Sequence, residues 1–291
     1  MNPKSTSNQS SKPCTVLQYQ SKKDVFDEDA DGDADEDKDE EDAHDKFLRL
    51  TLGQTTDVLL GMSMYRSHAE LQEAECKMVW AFTKKDELKV MIDGAGSIRA
   101  VVKAMTAHEG HAEVLFHGCN ALAFLAKDDN NRKMIVRAGG LDAVLAAMTL
   151  HKGHATVQEK SCFAMAVFAK DIDNRKVIVR AGGLDAVLSA MPLHEGHPGV
   201  KVKIWWALLM FANDDVDSRK VIVSAGGIDS VVSAMTAYPG NDQMQLSGLY
   251  LLQNLAIDDG TIIMVVSAGG IHVVVAALTG HVDDRELQQG A

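Results

Sequence analysis

One stretch of this chain shows the pattern of apolar and polar positions that the rest repeats. Over Leu184–Met191, the residues Leu184, Val187, Leu188 and Met191 fall at i, i+3, i+4 and i+7, the stripe of an amphipathic helix. Gly182-Gly183 stands just before it and predicts a break, because glycine tolerates the left-handed conformation a helix end requires. Ahead of the break, Asn174–Ala181 reads as a shorter helix with Asp173 as its N-cap. A turn with Pro192, Gly196 and Pro198 follows, and then a third helix to Phe211.

The pattern returns at a fixed interval. Ala-Gly-Gly-Leu-Asp-Ala-Val-Leu begins at Ala138 and again at Ala181, with variants from Ala225 and Ala268 and looser copies from Ala95 and Leu52. The closing residues Met62, Met105, Met148, Met191, Met235 and Leu278 step by 43, 43, 43, 44 and 43. Such a period predicts an all-α solenoid, in which each unit buries its apolar face against its neighbours. Counted glycine to glycine, the units run 53–95, 96–138, 139–181, 182–225 and 226–268, with a partial sixth over 269–280. The sixth ends after Ile271–Leu278 and leaves Val273, Val274 and Val275 with no following unit. Solenoids need polar end caps, so self-association through the C-terminal end is expected, or else the chain is a fragment.

Charge divides the chain further. Of the 291 residues, the segment from Asp24 to Asp45 holds 14 acidic residues and one base, Lys38, and so carries −13 of the net −12. The remainder is therefore close to neutral, at +1 by subtraction. Residues 1–46 are poor in aromatics and cannot bury enough apolar surface to offset ordering, so they read as a disordered acidic tail. The array then spans 47–280, followed by a short tail over 281–291. The first residues lack the apolar core of a signal peptide, and the longest apolar run, Ile204–Ala212, is too short to span a bilayer. A cytoplasmic protein is the expectation, with the nucleus as the alternative. Cys76, Cys119 and Cys162 share one position in three units and read as buried thiols.

Candidate chemistry is sparse. His108/His111, His151/His154 and His194/His197 repeat a His-x-x-His spacing that could share a metal ion. Each pair follows the second helix, where imidazoles also bond the last carbonyls, and no other ligand recurs beside all three. The Asp27–Asp33 run starts like a calcium loop, but Lys38 stands where the bidentate Glu is needed. The ladder Arg132-Lys133, Arg175-Lys176 and Arg219-Lys220 is balanced by Asp142, Asp185 and Asp229, and reads as a solvated ridge, not a nucleic-acid track. Nucleophile elbow and phosphate loop are both missing, so no enzyme and no cofactor are expected.

Three helices per unit, the Gly-Gly break and the run Gly248-Leu249-Tyr250-Leu251-Leu252-Gln253-Asn254-Leu255-Ala256 together resemble the armadillo repeat family. The resemblance implies a right-handed solenoid whose third helices line a concave groove. It also implies a Trp, with an Asn four residues later, that grips the backbone of an extended peptide. In this chain the Trp position holds Asn120, Phe163, Trp206 and Tyr250, and the Asn position Phe124, Val167, Met210 and Asn254. Only Tyr250/Asn254 approximates the pair. A stripe of Lys160, Phe163, Val167 and Lys170, repeated as Lys203, Trp206, Met210 and Asn213, lies away from the core stripe of its helix. It reads either as a binding face or as packing between adjacent third helices. The expected function is non-catalytic binding of an extended peptide or a partner helix. Phe163, Trp206 and Tyr250 would be anchors, Lys160 and Lys203 charge partners, Met210 a groove residue and Asn254 a backbone hydrogen-bonder. The expected partner is thus a protein or peptide, with neither nucleic acid nor membrane. A nuclear-import-type cargo binder and a metal protein using the histidines are the alternatives.

Overall fold

The computed structural model describes residues 62–63, 66–83 and 95–281, all within Gly53–Ala291, the second of two compact units of the chain. The expected acidic tail, the opening segment 47–52 and the last residues from 282 lie outside the described residues. Fourteen α-helices and no strand are found among the described residues. First helices of the units are α4 (Asp129–Arg137), α7 (Ile172–Arg180), α10 (Val216–Ser224) and α13 (Asp259–Ser267). Second helices are α2 (Ala95–Ala107), α5 (Gly140–Leu150), α8 (Gly183–Ala190), α11 (Gly227–Ala237) and α14 (Gly270–Gly280). Third helices are α1 (Ala69–Thr83), α3 (Ala112–Leu125), α6 (Ala155–Phe168), α9 (Pro198–Ala212) and α12 (Asp242–Leu255). Among the described residues no single helix is long and apolar enough to cross a membrane.

The N-caps sit earlier than the sequence suggests. Asp171, not Asp173, caps α7, accepting from the backbone N–H groups of Asp173 and Asn174 at 3.1 and 2.9 Å. Asp128 caps α4 in the same way, and Asp215 caps α10 through Asp217. Asp173 instead falls in the first turn, where its charge complements the helix dipole. Both aspartates are good caps by type; the one that precedes the first helical residue in extended conformation takes the role.

Each first helix turns into its second over the glycine pair, at 63° between α10 and α11 and 70° between α13 and α14. The two glycines do different things. Gly182 carries the positive φ of +84°. Gly183 is already helical, but a Cβ there would lie 2.9 Å from the Ile178 carbonyl oxygen and collide with the Ile178 side chain. Ile178, fully buried, packs under the turn against this bare backbone.

The third helices pack side by side in one continuous row, α1–α3–α6–α9–α12. Every residue of α9 from Val200 to Ala212 is buried, since this helix is covered on both sides and by its own unit. Second helices meet their counterparts as well, α2 with α5, α5 with α8 and α11 with α14. The core is therefore an extended seam, and Trp205, Phe168 and Phe211 are its largest members in the middle units.

The glycine junction generates a test. Gly183→Val should lower the melting temperature and destabilise by roughly 1–3 kcal/mol, the cost of forcing atoms into a packed site. Gly182→Ala should also destabilise, through the positive φ alone. Thermal unfolding of both variants beside wild type measures this; an unchanged midpoint for Gly183→Val would refute the contact argument.

Candidate functional site

The third-helix row is where the sequence places a binding face. Its apolar members turn out to be part of the packing. Phe163 is 1% exposed; its ring stands edge-on to Phe124 of α3 at 5.9 Å, with Lys203 of α9 over it at 5.3 Å. Trp206 is 7% exposed, and its indole N–H donates to Ser247 Oγ of α12 at 2.7 Å. Met210 and Val167 are buried too. Phe163 and Trp206 thus bridge successive third helices, as the packing reading expects of them.

Cations accompany these side chains, from exposed Lys127 through half-buried Lys160 to buried Lys203. Lys160 keeps a side chain 15% exposed beside Glu159, with its ammonium 3.2 Å from that carboxylate. Lys203 is buried, its ammonium 4.3 Å from the Trp206 ring centre. Lys127 lies 4.4 Å over Phe124. The aromatic faces that close the core thus also seat the cations above it, an attraction between positive charge and ring quadrupole. Desolvation, and then the like charges of Arg132 and Lys127, hold the Lys170 pKa below the usual lysine value. Tyr250 and Asn254 are half-buried on α12, one turn apart. The Asn254 Oδ1 is buried without a hydrogen-bond partner.

The histidine ladder is structural. His108 Nε2 bonds the Arg66 carbonyl, His151 that of Glu109, and His194 that of Lys152, each at 2.8 Å and each 42 residues back. His281 bonds Pro239 in the same way at 2.9 Å, a member that the His-x-x-His spacing did not reveal. A carbonyl accepts, so each Nε2 carries the proton and donates between units. The second histidines His111, His154 and His197 stand at the N-caps of α3, α6 and α9.

The expected solvated Arg-Lys ridge is corrected on the arginine side. Arg132 and Arg175 are buried and fold back onto the C-terminal carbonyls of the preceding third helix, Nε donating to Ala126 at 3.0 Å and to Ala169 at 3.1 Å. Arg175 also donates to the Asn213 carbonyl, one unit on. The lysines face solvent and Arg219 is half-buried, while Lys133 pairs with Asp171 at 3.5 Å, not with Asp142. Guanidinium forks reach such carbonyls, whereas an ammonium on an exposed helix face does not.

At the α1–α3 end the fold assembles a cluster that no spacing in the sequence signals. Glu73, Glu113 and His117 each bring a ligand atom within 4.8 Å of the others, a set that could hold a divalent cation. Burial, then the charge of Lys77, lowers the His117 pKa, keeping the imidazole neutral. Nearby, burial pushes the Glu75 carboxyl up to about 7; it accepts from Gln72 Nε2 at 2.9 Å. Cys76, Cys119 and Cys162 are buried free thiols, raised by desolvation, Cys119 to about 12. A cleft of about 250 Å³ between Met62–Arg66 and α2 is edged by Arg66, Arg99 and Lys103.

Three-helix units with a left-handed glycine junction and a row of third helices define an armadillo-like repeat solenoid. Solved structures with the same fold bear this out. An engineered protein matches with TM-score 0.67 and 26% identity over 80% of this chain and 93% of its own. A designed armadillo repeat protein in complex with the peptide (KR)4 matches with TM-score 0.64 and 14% identity, over 80% of this chain and 95% of its own. A third match, TM-score 0.66 and 15% identity over 81% of this chain and 43% of its own, concerns a conserved phosphorylation switch controlling the interaction between cadherin and beta-catenin. No family model and no curated protein matches the sequence.

Two outcomes follow from these contacts. His151→Ala removes a bond between units and should cost about 1 kcal/mol, read as a lower denaturation midpoint. For Glu75 the folded pKa of about 7 lies above the ordinary 4.5, so the unfolded chain loses this proton first. The penalty is absent below the ordinary value, grows as pH rises through the window and is complete above about 7. Glu75→Gln should accordingly melt higher than wild type at pH 8, with the difference vanishing in acid.

Proposed function

We propose that this chain is a non-catalytic scaffold that binds an extended peptide along its third-helix row. The single observation that carries the reading is the Asn254 amide, whose Oδ1 is buried yet accepts nothing. Buried polar atoms are nearly always satisfied, and because the Asn254 residue as a whole is only half-buried, a turn of its side chain would present this acceptor to a peptide backbone N–H. Tyr250, one turn before, offers the aromatic surface beside it. The similar solved structures support the class of partner, since they include a designed armadillo repeat protein in complex with a peptide and one concerning the interaction between cadherin and beta-catenin. In this reading Phe163, Trp206 and Met210 shape the floor of the groove, and Lys160 and Lys203 favour acidic side chains on the ligand.

The import-type alternative requires a basic ligand instead, so one experiment separates the two. Fluorescence anisotropy would follow a labelled acidic peptide of Glu, Asp and aliphatic residues, with (KR)4 in parallel. The acidic peptide should bind, and more weakly as salt rises, because exposed charges are screened within about 8 Å at physiological salt. Asn254→Ala and Lys160→Glu should each weaken binding by about tenfold, near 1.4 kcal/mol. Binding of (KR)4 alone, or an acidic peptide indifferent to both substitutions, would overturn the reading.

A further inference from the structure

The repeat supplies an internal control for charge. Asp142, Asp185 and Asp229 stand in the first turns of α5, α8 and α11, where a carboxylate complements the helix dipole. Aligned on the unit period, the same position of α2 is Arg99. One turn on, Lys103 stands where those helices carry Ala146, Ser189 and Ser233. Arg66, just before α1, stands where the later units carry Glu109, Lys152 and Glu195. Over these three positions the junction at α2 carries +3, whereas the next three carry −2, 0 and −2. The later units fold without a cation at the places of Arg99 and Lys103, and at the former a cation gains nothing from the dipole.

The three cations converge on one cavity. Arg66, Arg99 and Lys103 all edge the cleft of about 250 Å³ between Met62–Arg66 and α2, whose wall of Gly96, Ala100 and Ala104 leaves the space open. Arg99 and Lys103 lie four residues apart, on one face of α2. The Arg66 backbone is held opposite them, because its carbonyl accepts from His108 Nε2, just after α2, at 2.8 Å. All three side chains are exposed. Among the described residues none of them forms an ion pair, and Arg66 donates to Ser63 Oγ at 3.3 Å. The chain as a whole carries −12, yet these cations gather without a carboxylate between them. Like charges lining one cavity repel and raise the local concentration of anions, and a bound anion removes the repulsion.

We propose that this cleft binds a phosphomonoester group, with Arg66 and Arg99 as forks and Lys103 as a point charge beside them. A phosphomonoester carries close to two negative charges at neutral pH and three acceptor oxygens, a better match to three cations than a carboxylate. Guanidinium groups grip such oxygens in pairs, and the ammonium adds charge without a fixed geometry. A phosphorylated side chain of a partner and a small organic phosphate present the same group, and the cleft reads the group. The site uses none of Lys160, Lys203, Tyr250 and Asn254, so it is independent of the peptide reading.

The later units also provide the test variants. Arg99→Asp and Lys103→Ala place on α2 the residues that α5 carries at the same positions, so both should fold with an undiminished melting temperature. Isothermal titration of the full chain would use glycerol 3-phosphate and a short phosphoserine peptide, with the unphosphorylated peptide as control. Wild type should bind at least one of the two phosphates with a dissociation constant below about 1 mM, and less tightly as salt rises. Arg99→Asp should weaken this binding by at least about tenfold, and Lys103→Ala by a smaller factor in the same direction. Arg180→Ala, which removes an exposed cation of α7 away from the cleft, should leave it unchanged. A preference for the peptide points to a protein-borne phosphate and the reverse to a free one; either supports the cleft as a phosphate site. In Arg99→Asp the acidic peptide of the anisotropy experiment should bind as in wild type, which separates loss of this site from failure of the peptide reading. Neither phosphate binding up to about 10 mM, an Arg99→Asp variant that binds as wild type does, or an unphosphorylated peptide that binds as tightly would each overturn the proposal.

Discussion

The structure depends on a steric exclusion at the junction between the first and second helices of each unit. A side chain of the first helix, buried Ile135, Ile178 or Ile222 and in the last unit half-buried Val265, and its own carbonyl occupy the space that a Cβ on the second glycine would need. The first glycine bends the chain through a left-handed residue, and the second lets the next helix start against the end of the previous one. With that angle set, the stripe of the second helix and the whole inner side of the third turn toward the same seam. Hydrophobic burial then supplies the driving force, but the seam forms only if the turn is this tight.

Identical units could still slide past one another, and side-chain bonds fix their spacing. The histidines reach back 42 residues to a carbonyl, Asn174 reaches the Arg132 carbonyl over the same interval, and Cys119 meets Ser161 at 3.4 Å. Each bond is modest alone, yet each is made only in one register, so they add specificity to a packing term that has little. Gln158 and Gln245 hold the turn from within their own units, bonding the Met148 and His151 carbonyls and the Met235 and Tyr238 carbonyls, whether the turn residue is His or Tyr.

The fold was legible in the sequence because its two strongest signals, period and glycine pair, report directly on backbone geometry. Helix ends were less so. Asp171 and Asp173 are chemically equivalent caps, and the choice rests on a backbone angle that no residue type announces. The candidate site was read least well, for a physical reason. A stripe such as Phe163, Val167 and Lys170 looks the same whether it lines a groove or fills the gap between two parallel helices. Only the position of Lys203 over Phe163 shows that the neighbouring helix arrives there first. Arg132 and Arg175 illustrate the converse: charge suggested solvent, whereas a six-residue fold-back onto a helix end took both side chains inside. The Glu73, Glu113 and His117 group joins two helices of different units, beyond the reach of spacing rules.

The column of thiols gives the array a built-in set of chemical clocks. Cys76, Cys119 and Cys162 sit on α1, α3 and α6, fully enclosed, while α9 and α12 carry none. Only a thiolate attacks an alkylating reagent, and burial holds these three protonated, so reaction must wait for a local opening. In a one-dimensional assembly openings spread from an end or start in a single unit. The order in which these cysteines become modified would thus time the fraying of the N-terminal half, unit by unit, with the C-terminal half silent.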